Sequence, residues 1–356
     1  YNIDTVEKSH SPHKSKMAIK LFSFAALATL VAVSIFMASS HQLPAAEISI
    51  SQSLSPPGNS GQPEELGLVH WLRDLDAGQA EAQKTGKPLL ILFQEVPGCS
   101  NCTRYGNSTL SNPLIVEAIE TYFVPVCIYN NKGGKDAAAL KTFDEPSWNN
   151  PVVRIVRADY DDIVPRISNF NSPAQLVLGI QNALQSNGKV VPKYVDLLLE
   201  ELSAREAGLE TATFSMYCFW SGEGTFGNIP GVIETEPGFQ NGKEVVKVLF
   251  NPAVVKKADL EALTQPKGIQ SCTGNDGFRS DREPKYYLAQ TDYKYVPMTS
   301  LQACRANSMV GKGLSPHDVL SPRQLALLEN IRQNPKRKLK NSIGTKDLKK
   351  AWADAI

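Results

Sequence analysis

The chain reads as an α/β unit followed by a smaller α+β unit, and three observations predict this. Residues 89–93, "LLILF", form a continuous apolar run that suits a strand buried on both faces. Apolar residues around it recur with helical spacing, so helix, strand, active loop, helix and strand alternate. Near residue 206 the texture changes to strand-like runs with turn signals between them, "ATFSMYCFW" and "KEVVKVLF". A length of 356 residues is enough for two domains at roughly 100–200 residues each.

In order along the chain, Met17 reads as the start of a secretory signal. Lys20 precedes an apolar run from Leu21 to Ala38, and Ala38-Ser39-Ser40 fits a cleavage site. Residues 1–16 then read as an upstream or scar segment. The run is about 18 residues, near the lower limit for a membrane span, so a retained anchor and a buried core helix stand as alternatives. The first two readings place the chain outside the cytoplasm, periplasmic or extracellular, where disulfides persist. Residues 1–46 form this leader, and 47–64, rich in Ser, Pro and Gly, a flexible linker.

Leu68, Trp71, Leu72 and Leu75 predict an amphipathic helix stopped by Gly86 and Pro88. A second helix is expected over 110–120, a strand at "YFVPVCIY", another at "VVRIV", and helices near 174–185 and 193–204. The first unit is thus bounded at 65–205. In the second, 206–300, "EGTFGNIPG" fits a helix closing on glycine and "KKADLEAL" another helix; 265–320 reads as turn-rich. Ser321-Pro322 supplies an N-cap and first turn for "RQLALLENIRQN" in a C-terminal extension, 301–356. Its basic stretch "KRKLK" reads as a solvated face or a membrane or nucleic-acid patch. The net charge of +1 marks no nucleic-acid binder, and 42% hydrophobic residues with 21% charged is ordinary globular composition.

"EVPGCSNCTRYG" spaces Cys99 and Cys102 as C-x-x-C, which fits a redox pair, half a zinc site or a structural staple. Zinc takes about four ligands. The other cysteines are single and distant, and His41, His70 and His317 show no ligand spacing, so no metal is expected. The redox reading has a physical basis. The pair sits between a buried strand and an expected helix, whose N-terminal dipole favours thiolate. Cys99 is then the nucleophile and Cys102 resolves the mixed disulfide. Cys127 lies in a strand pattern and reads as an inert core thiol. The sequons at Asn101 and Asn107 are discounted, because the first contains Cys102.

"AQKTGKPLLILFQEVPGCSNC" resembles a thioredoxin-like domain. More narrowly, Val96-Pro97-Gly98-Cys99 with Cys102 and Gly106 resembles the VPGUxxC thioredoxin-like (seleno)protein family, in which the position of Cys99 is often selenocysteine. The resemblance implies redox chemistry at Cys99 and a cis-proline opposite the cysteines, for which Pro165 in "DIVPRIS" is the candidate; a trans, structural proline is the alternative. It covers about 65–205.

"ATFSMYCFWSGEGTFGNIPGVIETEPGF" resembles the core of A-type peptide methionine sulfoxide reductases. Cys218-Phe219-Trp220, Glu223, Phe226 and Pro230-Gly231-Val232 stand in the family's order, and Glu244 matches the glutamate that opens its next strand. "GNDGFRS" resembles a later family segment, and the match covers roughly 211–280. It implies Cys218 as nucleophile, Glu244 as acid, and Phe219 with Trp220 as an apolar wall for the substrate methyl. Alone, Cys218 at a strand-to-helix junction suits a reactive thiol, and a carboxyl in an aromatic pocket suits proton donation. Two family tyrosines are missing: the loop before Glu244 is short, and Phe278 precedes Arg279-Ser280. Tyr217, Tyr286 and Tyr287 are the candidates to replace them. Cys272 and Cys304 are candidate resolving cysteines, or else a structural disulfide.

These resemblances together imply a thiol-dependent oxidoreductase in which the first unit passes electrons to a second that reduces methionine-S-sulfoxide in oxidised proteins. A thioredoxin-type reductant would act upstream. The rivals are a disulfide or peroxide reductase whose second domain only holds substrate, and a binding protein with structural disulfides. No nicotinamide, flavin or other cofactor motif stands out.

Overall fold

The computed structural model describes residues 61–356 apart from Asn275, all within one compact unit that starts at Ile48. The expected leader, including the apolar run 21–38, and most of the linker lie outside the described residues. Among the described residues no helix is long and apolar enough to cross a membrane.

The first half is built on a three-stranded mixed sheet. Helix α1 (Leu75–Thr85) precedes β1 (Leu89–Gln94), and α2 (Ser100–Asn107) and α3 (Pro113–Tyr122) lead to β2 (Val124–Tyr129). Then come α4 (Lys135–Thr142), β3 (Val152–Val156), α5 (Pro173–Ser186) and α6 (Lys193–Ala207). The strand order is β2-β1-β3; β1 pairs parallel with β2 and antiparallel with β3. Every residue of β1 is buried, as its unbroken apolar run requires.

The helix expected from Leu68 begins only at Leu75. The stretch before it is extended: Leu72 bridges Val126 in parallel, and the Leu72 N–H donates to the Pro125 carbonyl at 2.9 Å. Leu68, in the turn before this stretch, and Trp71 are partly buried on the core, so a helical spacing arose from residues that pack for another reason. Asp74 starts the helix by accepting from the Ala77 N–H. At the edge of the expected linker, Glu64–Leu66 forms a 3-10 turn with Glu65 and Leu66 buried.

The second half carries β4 (Glu210–Ser215), α7 (Phe219–Phe226), β5 (Val232–Gln240), β6 (Lys243–Phe250), α8 (Lys257–Thr264), β7 (Gln270–Ser271), β8 (Arg279–Ser280), α9 (Tyr286–Ala289), α10 (Ser300–Gly311), α11 (Pro322–Gln333) and α12 (Leu348–Ala355). Its five-stranded sheet, β7-β4-β6-β5-β8, is antiparallel throughout. Helix α10 lies inside the stretch expected to be turn-rich. Its apolar count is low because Gln302, Asn307 and Ser308 are buried in it, and Thr299 with Gln302 makes a capping box at its start.

Helix α6 belongs to both halves. Tyr194, Val195 and Leu198 lie in the core beneath the first sheet, while Leu197 and Ala204 join the core formed with α10, α11 and α12. A second junction lies at the start of α11. The Arg323 N–H donates to Glu117 at 2.8 Å, and the Arg323 guanidinium pairs with Glu120 at 2.5 Å.

Candidate active site

The first thiol centre stands where β1 ends. Cys99 is the N-cap of α2, and the Thr103 N–H donates to its carbonyl at 3.1 Å. The Cys99 and Cys102 sulfurs are 3.1 Å apart, with Cys99 partly exposed and Cys102 buried. Burial raises the Cys99 thiol, but hydrogen bonds from the Cys102 side chain and from the backbone of Cys102 and Asn101 outweigh it and hold it below its ordinary value. Burial, with the Cys99 sulfur beside it, pushes Cys102 up to about 12. Burial also raises Cys127, which is wholly enclosed in β2.

Glycine is required at two points here. A Cβ on Gly98 would lie 2.2 Å from the Glu95 carbonyl, and one on Gly106 would lie 2.0 Å from the Glu64 carbonyl. The Gly98 N–H donates to the Glu65 carboxylate at 2.6 Å, tying the 3-10 turn to the active loop.

Pro165 is corrected as the cis-proline. The cis bonds among the described residues are Val96-Pro97 and Asn150-Pro151, and Pro165 is exposed. The register explains the difference. Phe93 pairs with Val152, so the residues just before β3 face the mouth of β1, whereas Pro165 lies on the segment that bridges β3 through Asp162 and Ile167, on the side of β3 away from β1. Asn150 Oδ1 accepts from Cys102 Sγ at 2.8 Å and lies 3.8 Å from Cys99 Sγ. The available signal was a proline directly before a strand antiparallel to the active one.

The second thiol centre stands where β4 ends. Cys218 is the N-cap of α7. Glu244, in β6, is brought beside it because the Met216 N–H donates to the Glu244 carbonyl at 3.1 Å. The Glu244 carboxylate Oε2 in turn accepts from the Phe219 N–H at 2.9 Å. Phe219 is buried and meets Phe239 edge-on at 5.3 Å; Trp220 stacks on Tyr286 at 3.9 Å and 13°. Trp220 Nε1 is buried without a partner among the described residues. The structure therefore gathers Cys218, Glu244, Phe219 and Trp220 at one helix N-terminus and adds Phe239 and Tyr286.

Of the three candidate hydroxyls, Tyr217 is fully exposed. Tyr286 covers Trp220, and Tyr287 packs over Gly224 and Gly311. Burial, and then the charges of Cys218 and Tyr286, hold the Tyr287 hydroxyl above its ordinary value. The loop before Glu244 is a tight turn at Asn241 and Gly242, both at positive φ.

Sequence reasoning missed what supports this centre. Glu223, fully buried in α7, accepts from Lys285 Nζ at 2.8 Å, the Lys285 N–H at 2.7 Å and the Thr235 hydroxyl at 3.0 Å. Lys285 directly precedes Tyr286, so this pair anchors the segment that covers Trp220.

The remaining cysteines are not brought to Cys218. All six are free, so Cys272 and Cys304 form no disulfide. Cys272 follows β7 and donates its N–H to Thr213, running down β4 away from Cys218. Cys304 is 1% exposed on α10, with its carbonyl against Gly227 at the far end of α7 and its sulfur 3.6 Å from the Thr235 hydroxyl.

Comparison with known proteins agrees with both halves. A family described as "Thioredoxin-like" matches residues 70–158. The chain is 43% identical to a peptide methionine sulfoxide reductase MsrA of Methanococcus maripaludis, strain C5, over 14% of this chain and 43% of that protein. It is 38% identical to an MsrA 2 of Rhizobium meliloti over 25% of this chain and 51% of that protein. An MsrA of Yersinia enterocolitica is 30% identical over 26% of this chain and 52% of its own length. The chain thus spans about half the length of the curated relatives it matches. It combines a thioredoxin-like region with one similar to these reductases, on a mixed α/β fold.

Proposed function

We propose that the chain is an exported thiol-dependent oxidoreductase that reduces methionine-S-sulfoxide in oxidised proteins at Cys218. The observation that carries the reading is the junction at α7: a partly exposed cysteine at a helix N-terminus, a carboxylate on the next amide, and an aromatic wall beside both. The likeness to the MsrA proteins supports it.

The chemistry follows from those groups. The Cys218 thiolate attacks the sulfoxide sulfur, and the helix N-terminus stabilises the anion. Glu244 gives a proton to the oxygen, which leaves as water as the sulfur–oxygen bond breaks; a water then attacks the Cys218 sulfur, breaking the transient bond between it and the methionine sulfur and leaving methionine and a Cys218 sulfenic acid. Phe219, Trp220, Phe239 and Tyr286 enclose the methyl group. A thiol then displaces water from the sulfenic acid, and a second thiol releases Cys218. Cys99 and Cys102 are the donors in this reading, with exposed Cys99 attacking and buried Cys102 resolving. The pattern at 96–106 supports membership of the VPGUxxC-type thioredoxin-like family in its cysteine form. A thioredoxin-type reductant would recharge the pair, and the apolar run at 21–38 would direct export or anchor the chain.

A dithiothreitol-driven assay on separate sulfoxide epimers tests this. The wild type should reduce the S epimer, and C218S should reduce neither. Replacing both Cys99 and Cys102 by Ser should abolish turnover with a thioredoxin-type donor and spare turnover with dithiothreitol.

One observation favours a second reading. The tight Asn241-Gly242 turn leaves no room for the family loop, and Phe278 carries no hydroxyl. The second half would then hold substrate while Cys99 alone does chemistry on disulfides or peroxide. Inactivity of the wild type on both epimers with dithiothreitol selects it.

A further inference from the structure

We propose that the reduced Cys99–Cys102 pair is also the centre of a thiophilic divalent-metal site completed by Glu95 and Asn150. The ligand atoms of Glu95, Cys99 and Cys102 all lie within 4.8 Å of one another. Asn150 Oδ1 adds a fourth donor, 2.8 Å from one sulfur and 3.8 Å from the other. Two sulfurs and two oxygens thus converge from three places in the fold: the loop after β1, the first turn of α2, and the residue two before β3.

The sequence argued against a metal because no further cysteine or histidine stood at ligand spacing. The fold supplies oxygen donors instead. Tetrahedral zinc, with bonds of about 2.3 Å to sulfur, holds two sulfurs roughly 3.8 Å apart. The observed 3.1 Å is short of that by a fraction of an ångström, within side-chain adjustment. Thiolate donors select zinc-like ions over magnesium or calcium.

Charge points the same way. Among the described residues no hydrogen bond or ion pair reaches the Glu95 carboxylate, which lies within 4.8 Å of the Cys99 sulfur, so the carboxylate and a thiolate there repel each other. A divalent cation between them turns that repulsion into attraction for both groups. Binding exchanges the two thiol protons for the metal with no change of oxidation state. It needs the dithiol form, so disulfide formation and metal binding exclude each other. A bound ion would therefore keep the pair reduced and withhold Cys99 from exchange.

This inference depends on reduced thiols and not on sulfoxide reduction. The test is anaerobic titration of the reduced full chain with Co²⁺, followed by thiolate-to-cobalt charge-transfer absorption. One equivalent should bind with tetrahedral bands and be displaced by Zn²⁺. The double variant C99S/C102S should lack the signal. E95Q, with its fold checked by circular dichroism, should bind at least about tenfold more weakly, since losing even an outer partner typically costs 10–100-fold. N150A should weaken binding in the same sense. No charge-transfer band in the wild type, a band that survives in C99S/C102S, or unchanged affinity in E95Q would each overturn the four-donor site.

Discussion

Replacing Lys285 by Met tests how the second thiol centre is held. The side chains are of similar length, and Lys285 has φ 56, so the left-handed backbone carries the same cost in both. What changes is charge. Glu223 is 0% exposed, and K285M removes the ammonium 2.8 Å from its carboxylate while leaving the Lys285 amide and the Thr235 hydroxyl in place. The ammonium is itself held above its ordinary range: burial opposes the charge, but Glu223 and then Cys304 outweigh that. Breaking a buried pair from one side leaves an uncompensated charge and costs about 3–5 kcal/mol. At a few degrees per kcal/mol for a chain of this size, that is roughly 10 °C in melting temperature. The assay is urea unfolding of K285M, E223Q and the double variant. The double variant should regain at least about half of the K285M loss, because the lone charge is gone. A K285M loss under about 1 kcal/mol, or a double variant that loses the sum of the singles, refutes the argument.

Glu117 should give the stability a pH slope of its own. Burial, reinforced by Glu120, raises its carboxyl from 4.5 to about 7 against the pull of Ser321 and Arg323. The native state then holds a proton that the unfolded chain has already lost, so this contribution is full below about 4.5 and disappears as pH rises through about 7. Relative to wild type, E117Q should gain up to about 3 kcal/mol across that window in urea midpoints; parallel curves count against it. Under the proposed reduction of the S epimer, W220A should lower kcat/KM about 10–100-fold by removing the wall against the methyl group, most of it in KM; an unchanged ratio removes Trp220 from the pocket. G106A should cost about 1–3 kcal/mol, since its Cβ meets the Glu64 carbonyl at 2.0 Å, and a neutral melting temperature would contradict that packing. C102S should trap a mixed disulfide through Cys99 on gels without reductant, while C99S should not; equal trapping overturns the assignment of their roles.

The features legible in the sequence are those whose cause is local. β1 shows as an apolar run, α11 as the Ser321 N-cap before Pro322, and the two cysteine centres as thiols at strand-to-helix junctions. The misreadings share one cause, contact between distant segments. Leu68, Trp71 and Leu72 match a helical period, yet Leu68 and Trp71 are partly buried on the core while Leu72, itself exposed, is held by a backbone bridge to Val126, 54 positions on. Pro165 and Pro151 are equally good as prolines, and only the pairing of Phe93 with Val152 brings the segment of Pro151, through Asn150, to the thiols. Glu223 meets Lys285 across 62 positions, which no motif spacing encodes.

Helix α6 carries the same lesson into function. As a sequence, 193–204 is one more amphipathic helix at the end of the first unit. In the fold its Tyr194, Val195 and Leu198 face one core and its Leu197 and Ala204 the other. Arg323 adds a second tie, to Glu117 and Glu120. Two domains on a flexible link gain effective concentration in proportion to how freely they meet. Here packing, not linker length, sets the separation of Cys99 and Cys218. A mutation that loosens α6 from one core therefore changes the separation of the two thiol centres as well as stability. Under the proposed relay it should change donor-driven turnover while leaving the dithiothreitol-driven rate at Cys218 in place.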